Sequence, residues 1–338
     1  PGMGSTAGST ALLQYEIDEP LHSLIEKSGR KRAEAAYRAC YEAIDSLSAI
    51  VAKERIEADF EKVPSLQYAS YKKDVVDLEK ELDARRKLDF DVEILGEADL
   101  RGTYGFRAPA ALLSSQGGEV DAYRLAHGLL GAAGDAATTY DCCEVLDIQS
   151  GSSQVKLVTD AGATITARYA VLACGYETLK YLPSTVATVG ATYALATKPV
   201  SEDALTKNRT LLWETKDPYL YVRYTSDNRI MAGGRDDETN NPKKRDQALP
   251  RKIQGLLKDL GNLFPGIALV PDYTWAGAFG STKDSLGYVD AVPGRPGVFC
   301  NLGFGGNGIL YSLIGAEIIR DRILDKKNDR DDVFAFDR

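Results

Sequence analysis

Residues 298–319, VFCNLGFGGNGILYSLIGAEII, carry the densest chemical signal in the chain. A strand-like run feeds a glycine-rich turn, and the turn opens a helix. Glycines let a backbone approach a ligand closely, and a helix N-terminus presents unpaired N–H groups at the positive end of its dipole. An anionic or electron-rich ligand edge suits such a place. Gly303, Gly305 and Gly308 fall in the spacing GxGxxG. That spacing marks a dinucleotide-binding unit only when a βαβ unit and an acidic residue about 20 positions on follow it, and here one helix remains. The same glycines also serve as a tight strand-to-helix connection.

Other chemistries are thinned by residue type. The chain has two histidines, His22 and His127, neither in a nucleophile motif, which nearly excludes a histidine-rich metal site or a Ser-His-Asp triad. The five cysteines are odd in number, follow no CxxC spacing and include the adjacent pair Cys142–Cys143; they read as reduced thiols. Cys300, just before the glycine turn, reads as a small buried strand residue rather than a covalent attachment point. A net charge of -8 and a pI near 5.1 argue against a nucleic-acid partner. No apolar run approaches the roughly 20 residues of a membrane span, and no signal-peptide pattern opens the chain, so a cytoplasmic protein is expected.

The elements that must position the glycine turn follow from periodicity. Ala36, Cys40, Ile44, Leu47 and Val51 make one stripe of a long amphipathic helix over 29–54. A second, heavily charged helix is expected over 73–88, with Val76, Leu78, Leu82 and Arg85 on a looser stripe of a mostly solvated surface. Residues 104–113 read as a strand, and EVDAYRLAHGLLGAA as a helix. EVLDIQ, QVKLVTD and ATITARYAVLAC read as β-rich, the last ending in an apolar run, 169–174, suited to a central parallel strand. Residues 192–236 alternate as an antiparallel sheet does, and helices are expected at 250–260 and 309–324. The expected fold class is α/β plus α+β, a nucleotide-binding domain interrupted by a second, antiparallel-sheet domain.

Taken in order and spacing, GSTAGSTALL, YAVLACGYE, WAGAFGSTKDSLGYVD and GFGGNGILYSLIGAEIIRDRI resemble the FAD-dependent oxidoreductases of the D-amino-acid oxidase and glycine oxidase (DAO) superfamily. The resemblance spans nearly the whole chain. It implies a Rossmann-like FAD-binding domain over 1–60, 115–185 and 270–338, interleaved with an antiparallel-sheet substrate domain over 61–114 and 186–269. FAD is the implied cofactor. Gly303, Phe304, Gly305, Gly306, Asn307, Gly308 and Ile309 match the motif whose helix N-terminus faces the flavin pyrimidine edge. Ala173, Cys174 and Gly175 match a turn over the dinucleotide, and Gly4, Ser5, Thr6, Ser9 and Thr10 a loop beside pyrophosphate and flavin. Lys283 and Tyr288 stand in the matched stretch as catalytic candidates, and Tyr104, Tyr219 and Tyr221 as a substrate cage.

Two departures qualify the resemblance. The family begins with a βαβ unit of roughly 30 residues bearing GxGxxG and an acidic residue for the ribose, and this sequence starts just after that point. A Rossmann-like domain lacking that unit would expose apolar surface on neighbouring strands and on the 29–54 helix, calling for a homo-oligomer or a partner over the open sheet edge. Second, Phe279 occupies the position where glycine-oxidase-like relatives place the arginine that pairs with the substrate carboxylate. Arg223 or Arg235 would have to replace it. The expected function is oxidation of the C–N bond of a small amine or amino acid by hydride transfer to flavin; the alternative is a catalytically silent fragment that does not hold FAD.

Overall fold

The computed structural model describes residues 1–183, 186–201, 205 and 209–338. The chain opens with β1 (Leu12–Gln14), α1 (Leu21–Ser28) and α2 (Arg30–Glu54). Then come β2 (Glu61–Lys62), β3 (Ser65–Tyr68), α3 (Val75–Arg86), β4 (Val92–Gly96) and a single turn, α4 (Glu97–Asp99). β5 (Ala110–Ser114), β6 (Gly117–Glu119) and α5 (Ala122–Ala133) precede a meander of β7 (Val145–Ser150), β8 (Val155–Thr159) and β9 (Thr164–Ala167). β10 (Ala170–Leu172), β11 (Thr188–Thr197), β12 (Leu211–Glu214), β13 (Tyr221–Tyr224), β14 (Ile230–Asp237) and α6 (Pro242–Leu263) form the second half. β15 (Pro271–Ser281), β16 (Tyr288–Ala291), β17 (Val298–Leu302) and α7 (Gly308–Ile323) close it.

Eight strands form one sheet in the order β15-β11-β14-β13-β12-β3-β5-β4, antiparallel except for the β12–β3 pair. Its α6 face buries Tyr193, Leu195, Val222, Ile230, Leu256 and Leu260 in one core. A second core joins α1, α2, α5 and α7 through Leu24, Tyr37, Ile44, Leu125, Tyr311 and Ile318. β10, β16 and β17 make a small sheet with β10 parallel to β17.

Several expectations from the sequence change. Residues 169–174 do not form a central strand: among the described residues β10 is an edge, with Val171 45% exposed and Tyr169 beside it. An apolar run reports potential burial, and among the described residues β10 has a strand partner, β17, on one side only. Large exposed apolar side chains include Val171 on β10 and Leu129 and Leu130 on α5 but none on α2, whose stripe is packed in the helical core. Only 110–114 of the 104–113 stretch is a strand; 100–104 wind into a helical turn. α6 starts at Pro242 rather than Pro250, because Asn241 Oδ1 accepts from the N–H groups of Lys243 and Lys244 and Pro242 fits the first turn. Pro250 then sits exposed inside the helix.

The largest correction concerns α3. Its charged face is not all solvated, since Arg85 is 1% exposed. Arg85 Nε donates to Glu81 Oε1 (2.7 Å) and Nη1 to Glu16 Oε1 (3.2 Å). Its guanidinium carbon stands 5.4 Å from the centre of the Tyr15 ring. Burial alone pushes the Glu81 carboxyl up, but Arg85, His22 and the N–H groups of Leu21 and His22 hold it down at about 2. A buried ion pair is worth little over an apolar pair, yet removing one partner strands the other. Arg85→Ala leaves two buried carboxylates and is expected to cost about 3–5 kcal/mol in denaturant unfolding. A loss below about 1 kcal/mol would show that the pair behaves as a surface one.

Candidate functional site

Residues 11–18, called here the strap, run from the N-terminal loop across the mouth of the glycine turn. Asn307, 5% exposed, donates through Nδ2 to Gln14 O (2.6 Å) and Glu16 O (2.9 Å). The Gly306 N–H donates to Asp18 Oδ2 (2.9 Å), and the Tyr219 hydroxyl donates to Asp18 Oδ1 (2.8 Å). Strap, glycine turn and the loop before β13 are thereby tied at one point.

The turn requires glycine where the chain folds on itself. A Cβ on Gly303 would lie 2.6 Å from the Gly308 carbonyl oxygen, and Gly305 has φ +73°. α7 then begins at Gly308 with no side-chain cap on its first N–H groups, and one of the groups that could have filled that role, Asn307, is turned to the strap instead.

The sheet supplies the opposite wall. On β11 and β14, Tyr193 pairs with Gly234 and Ala191 with Asp237, so Arg235 and Asp236 together face Thr192 across a bulge. Arg235 takes φ +58° there. Bulges re-aim side chains at the edges of sites, and this one puts Asp236 near Thr192, Asp18, Tyr219 and Tyr221. The Tyr219 and Tyr221 rings lie 5.8 Å apart, with Trp213 edge-on to Tyr219 at 5.9 Å. Burial raises the Asp236 carboxyl to about 6, with Asp18 and Asp217 adding and Thr192 and Lys252 opposing. Burial also raises Asp18, against the Gly306 N–H and Tyr219. Thr192 Oγ1 and Asp236 Oδ1 are buried without a hydrogen-bond partner of good geometry.

The residues singled out in the sequence divide. Tyr219, Tyr221 and Gly303–Ile309 come together at the strap, and Phe279 lies on β15 opposite Gly190, in the same sheet. The 4–10 loop borders them: Trp275 Nε1 donates to Gly8 O (2.9 Å), Ser9 Oγ accepts from the Ala11 N–H (3.1 Å), and Thr10 lies beside the Tyr221 hydroxyl. Gly4 and Ser5 are exposed, Thr6 half-buried; Ala173, Cys174 and Gly175 form an exposed turn after β10.

Four of the candidate residues are engaged elsewhere. Arg223 is spent on the backbone, donating to Thr10 O, Tyr224 O and Val120 O, so it holds the N-terminal loop in place. Arg235 is paired with Asp259 of α6 (2.7 Å). Tyr104 is buried in the α6-side core beside Phe106. Tyr288 is stacked on Phe336 and covered by Arg338, 3.7 Å from its ring centre; Arg338 also clasps Asp284, leaving Lys283 exposed and without that neighbour as an ion pair. Asp18, Thr192 and Asp236 escape a reading of the sequence. The one trace of Asp236 is an acidic pair closing the glycine-containing strand RIMAGGRDD.

The comparisons agree with this architecture. The profile of the family described as FAD dependent oxidoreductase (DAO) matches residues 1–322. A curated glycine oxidase of Geobacillus kaustophilus (strain HTA426) is 29% identical over 230 residues, 65% of this chain and 57% of the relative, so the match spans little more than half the length of that protein. The crystal structure of glycine oxidase from Geobacillus kaustophilus superposes with TM-score 0.80 at 21% identity, covering 97% of this chain and 86% of the other. L-proline dehydrogenase from P. horikoshii gives 0.79 at 13% identity, with 98% and 87% covered. Iminodiacetate oxidase from Chelativorans sp. BNC1 gives 0.78 at 14% identity, with 96% and 87% covered.

Asn307 is the clasp's test. Each buried carbonyl left without its donor costs about 1–3 kcal/mol, so Asn307→Ala is expected to lose about 2 kcal/mol or more in denaturant unfolding. Lys283→Ala, at an exposed site, is expected to stay within about 0.5 kcal/mol; equal effects would contradict the clasp. With the family profile matching residues 1–322 and the fold shared with a solved glycine oxidase, this chain belongs to the DAO family of FAD dependent oxidoreductases.

Proposed function

We propose that the chain binds FAD and oxidises the C–N bond of a small amine or amino acid. The observation that carries this reading is the N-terminus of α7, a 16-residue helix that opens on a glycine turn without a side-chain cap, between the strap and the Tyr219–Tyr221 wall. The residues fit the isoalloxazine end of a flavin: free N–H groups with a positive dipole end suit its electron-rich pyrimidine edge, and the glycines leave room for close approach. Gly303–Ile309 would hold that edge, the 4–10 loop with Ser5, Thr6, Ser9 and Thr10 would lie beside it, and the Ala173–Gly175 turn would follow the dinucleotide. We place the cofactor domain at 1–60, 115–185 and 270–338 and the substrate domain between. The relatives named glycine oxidase, L-proline dehydrogenase and iminodiacetate oxidase are all named for compounds containing a C–N bond, which supports the substrate class.

Bound there, FAD supplies the two-electron acceptor that no side chain offers. The substrate gives up a hydride from carbon and a proton from nitrogen, leaving an imine. The chain's own contribution is orientation and electrostatics. The first turn of α7 favours negative charge developing before it, while Asp18, already on the Gly306 N–H, limits how much of that field remains. Tyr219 and Tyr221 present ring faces to the substrate, and the sheet behind them keeps water from that side.

The protein incubated with FAD and passed through gel filtration is expected to retain flavin absorption, and Gly303→Val to lose it. A chain that takes up no flavin would overturn the proposal. It would favour a second reading suggested by the exposed Val171 edge of β10 and the exposed 173–175 turn, a polypeptide that does not hold the cofactor alone.

A further inference from the structure

The wall facing the glycine turn is acidic and aromatic, and its cations are committed elsewhere. Asp236 and Asp18 are the carboxylates within it, with Asp217 on the exposed loop before Tyr219 acting on both. Asp18 already holds two donors, the Gly306 N–H and the Tyr219 hydroxyl. Asp236 has only the Thr192 hydroxyl beside it, which holds its carboxyl down but at a geometry too poor for a full hydrogen bond, so that its Oδ1 and the Thr192 Oγ1 are both buried without a good partner. The backbone bulge delivers Asp236 to this spot, close enough to Tyr219 and Tyr221 to raise both hydroxyls. A Cβ on Gly306 would meet Asp18 Oδ1 at 3.0 Å and the Tyr219 hydroxyl at 3.3 Å, so the same groups border the turn itself.

The cations near the cluster are engaged with other groups. Arg223 donates to three backbone carbonyls, Arg235 pairs with Asp259, and Lys252 with Asp237 Oδ1 (2.5 Å) and Arg235 O (2.6 Å). Phe279 contributes no charge. A substrate carboxylate entering here would meet two carboxylates and no free guanidinium among the described residues, a like-charge juxtaposition that interfaces use to reject wrong partners. An ammonium would meet an unsatisfied carboxylate oxygen and two aromatic faces, the surroundings that bind organic cations.

We propose that the substrate is a cationic amine without a carboxylate, recognised by Asp236 between Tyr219 and Tyr221. This rests on the amine-oxidation reading and narrows it, with Asp236 as the specificity-determining residue. It also sets a pH dependence. The groups facing Asp236 are Asp18 from the strap, Asp217 from the loop before β13, Tyr219 and Tyr221, Thr192 from β11 and Lys252 from α6. Burial leads these influences and moves the carboxyl to about 6, so its charge is present above that pH and lost below it.

The test uses the FAD-loaded protein and a matched pair of probes, benzylamine and phenylglycine, which differ by a carboxylate. Dissociation constants are read from tryptophan fluorescence, independently of turnover, since Trp213 touches Tyr219. Benzylamine is expected to bind at least roughly thirtyfold more tightly than phenylglycine, and to weaken as pH falls through about 6 while remaining cationic itself. Asp236→Asn is expected to lose a similar factor for benzylamine and to flatten the pH dependence. Phe279→Arg is expected to strengthen phenylglycine. Equal or tighter binding of phenylglycine to the unaltered protein, or unchanged benzylamine binding in a folded Asp236→Asn variant, would overturn the proposal. If that variant does not fold, the unaltered protein's pH profile and probe preference decide. Failure of the flavin reading is seen separately, as absence of flavin bands; a flavin-loaded protein that prefers phenylglycine sinks the substrate class alone.

Discussion

The amide of Asn307 and the guanidinium of Arg85 hold the strap from opposite sides, and the site exists because they do. Asn307 reaches out of the glycine turn to the carbonyls of Gln14 and Glu16. Arg85 reaches from α3 to the Glu16 carboxylate. Both side chains are buried, so each bond is made where water cannot replace it. Just beyond these anchors the strap brings Asp18 to the Gly306 N–H and the Tyr219 hydroxyl. The turn before α7 and the wall of the large sheet, drawn from distant parts of the sequence, are fixed relative to each other through this short segment.

The same arrangement has an electrostatic consequence. Asn307 bonds the strap rather than capping α7, which leaves the helix's first N–H groups open, while Asp18 draws on the field of the turn from one side. The helix end is positive, and Asp18 and Asp236 stand on the strap and sheet sides of it. On the proposed reading a ligand there would be sorted by charge at both ends, an electron-rich edge toward α7 and a cationic group toward Asp236.

Local features are legible in the sequence, and relational ones are not. The glycine turn and α7 are written in one continuous stretch, and the α2 stripe in one period, so both can be read directly. The tyrosines of 219–221 are found by residue type. Arg85 reads as solvated because a charge on a highly charged helix looks so; its burial depends on Glu16, far away in sequence. Asp236 stays hidden because a bulge is a property of two strands in register, and nothing in β14 alone announces which residue β11 will leave unpaired. Tyr104 and Tyr288 show the converse. Their type suggests a cage, and packing puts them in other cores.

The most direct measurement is amide hydrogen exchange on the chain with and without FAD. Flavin seated at α7 and closed by the strap is expected to raise protection together in 11–18 and 303–310, because both sides of the clasp then lose the openings that exchange requires. Protection gained elsewhere, with those two segments unchanged while flavin remains bound, would contradict the account.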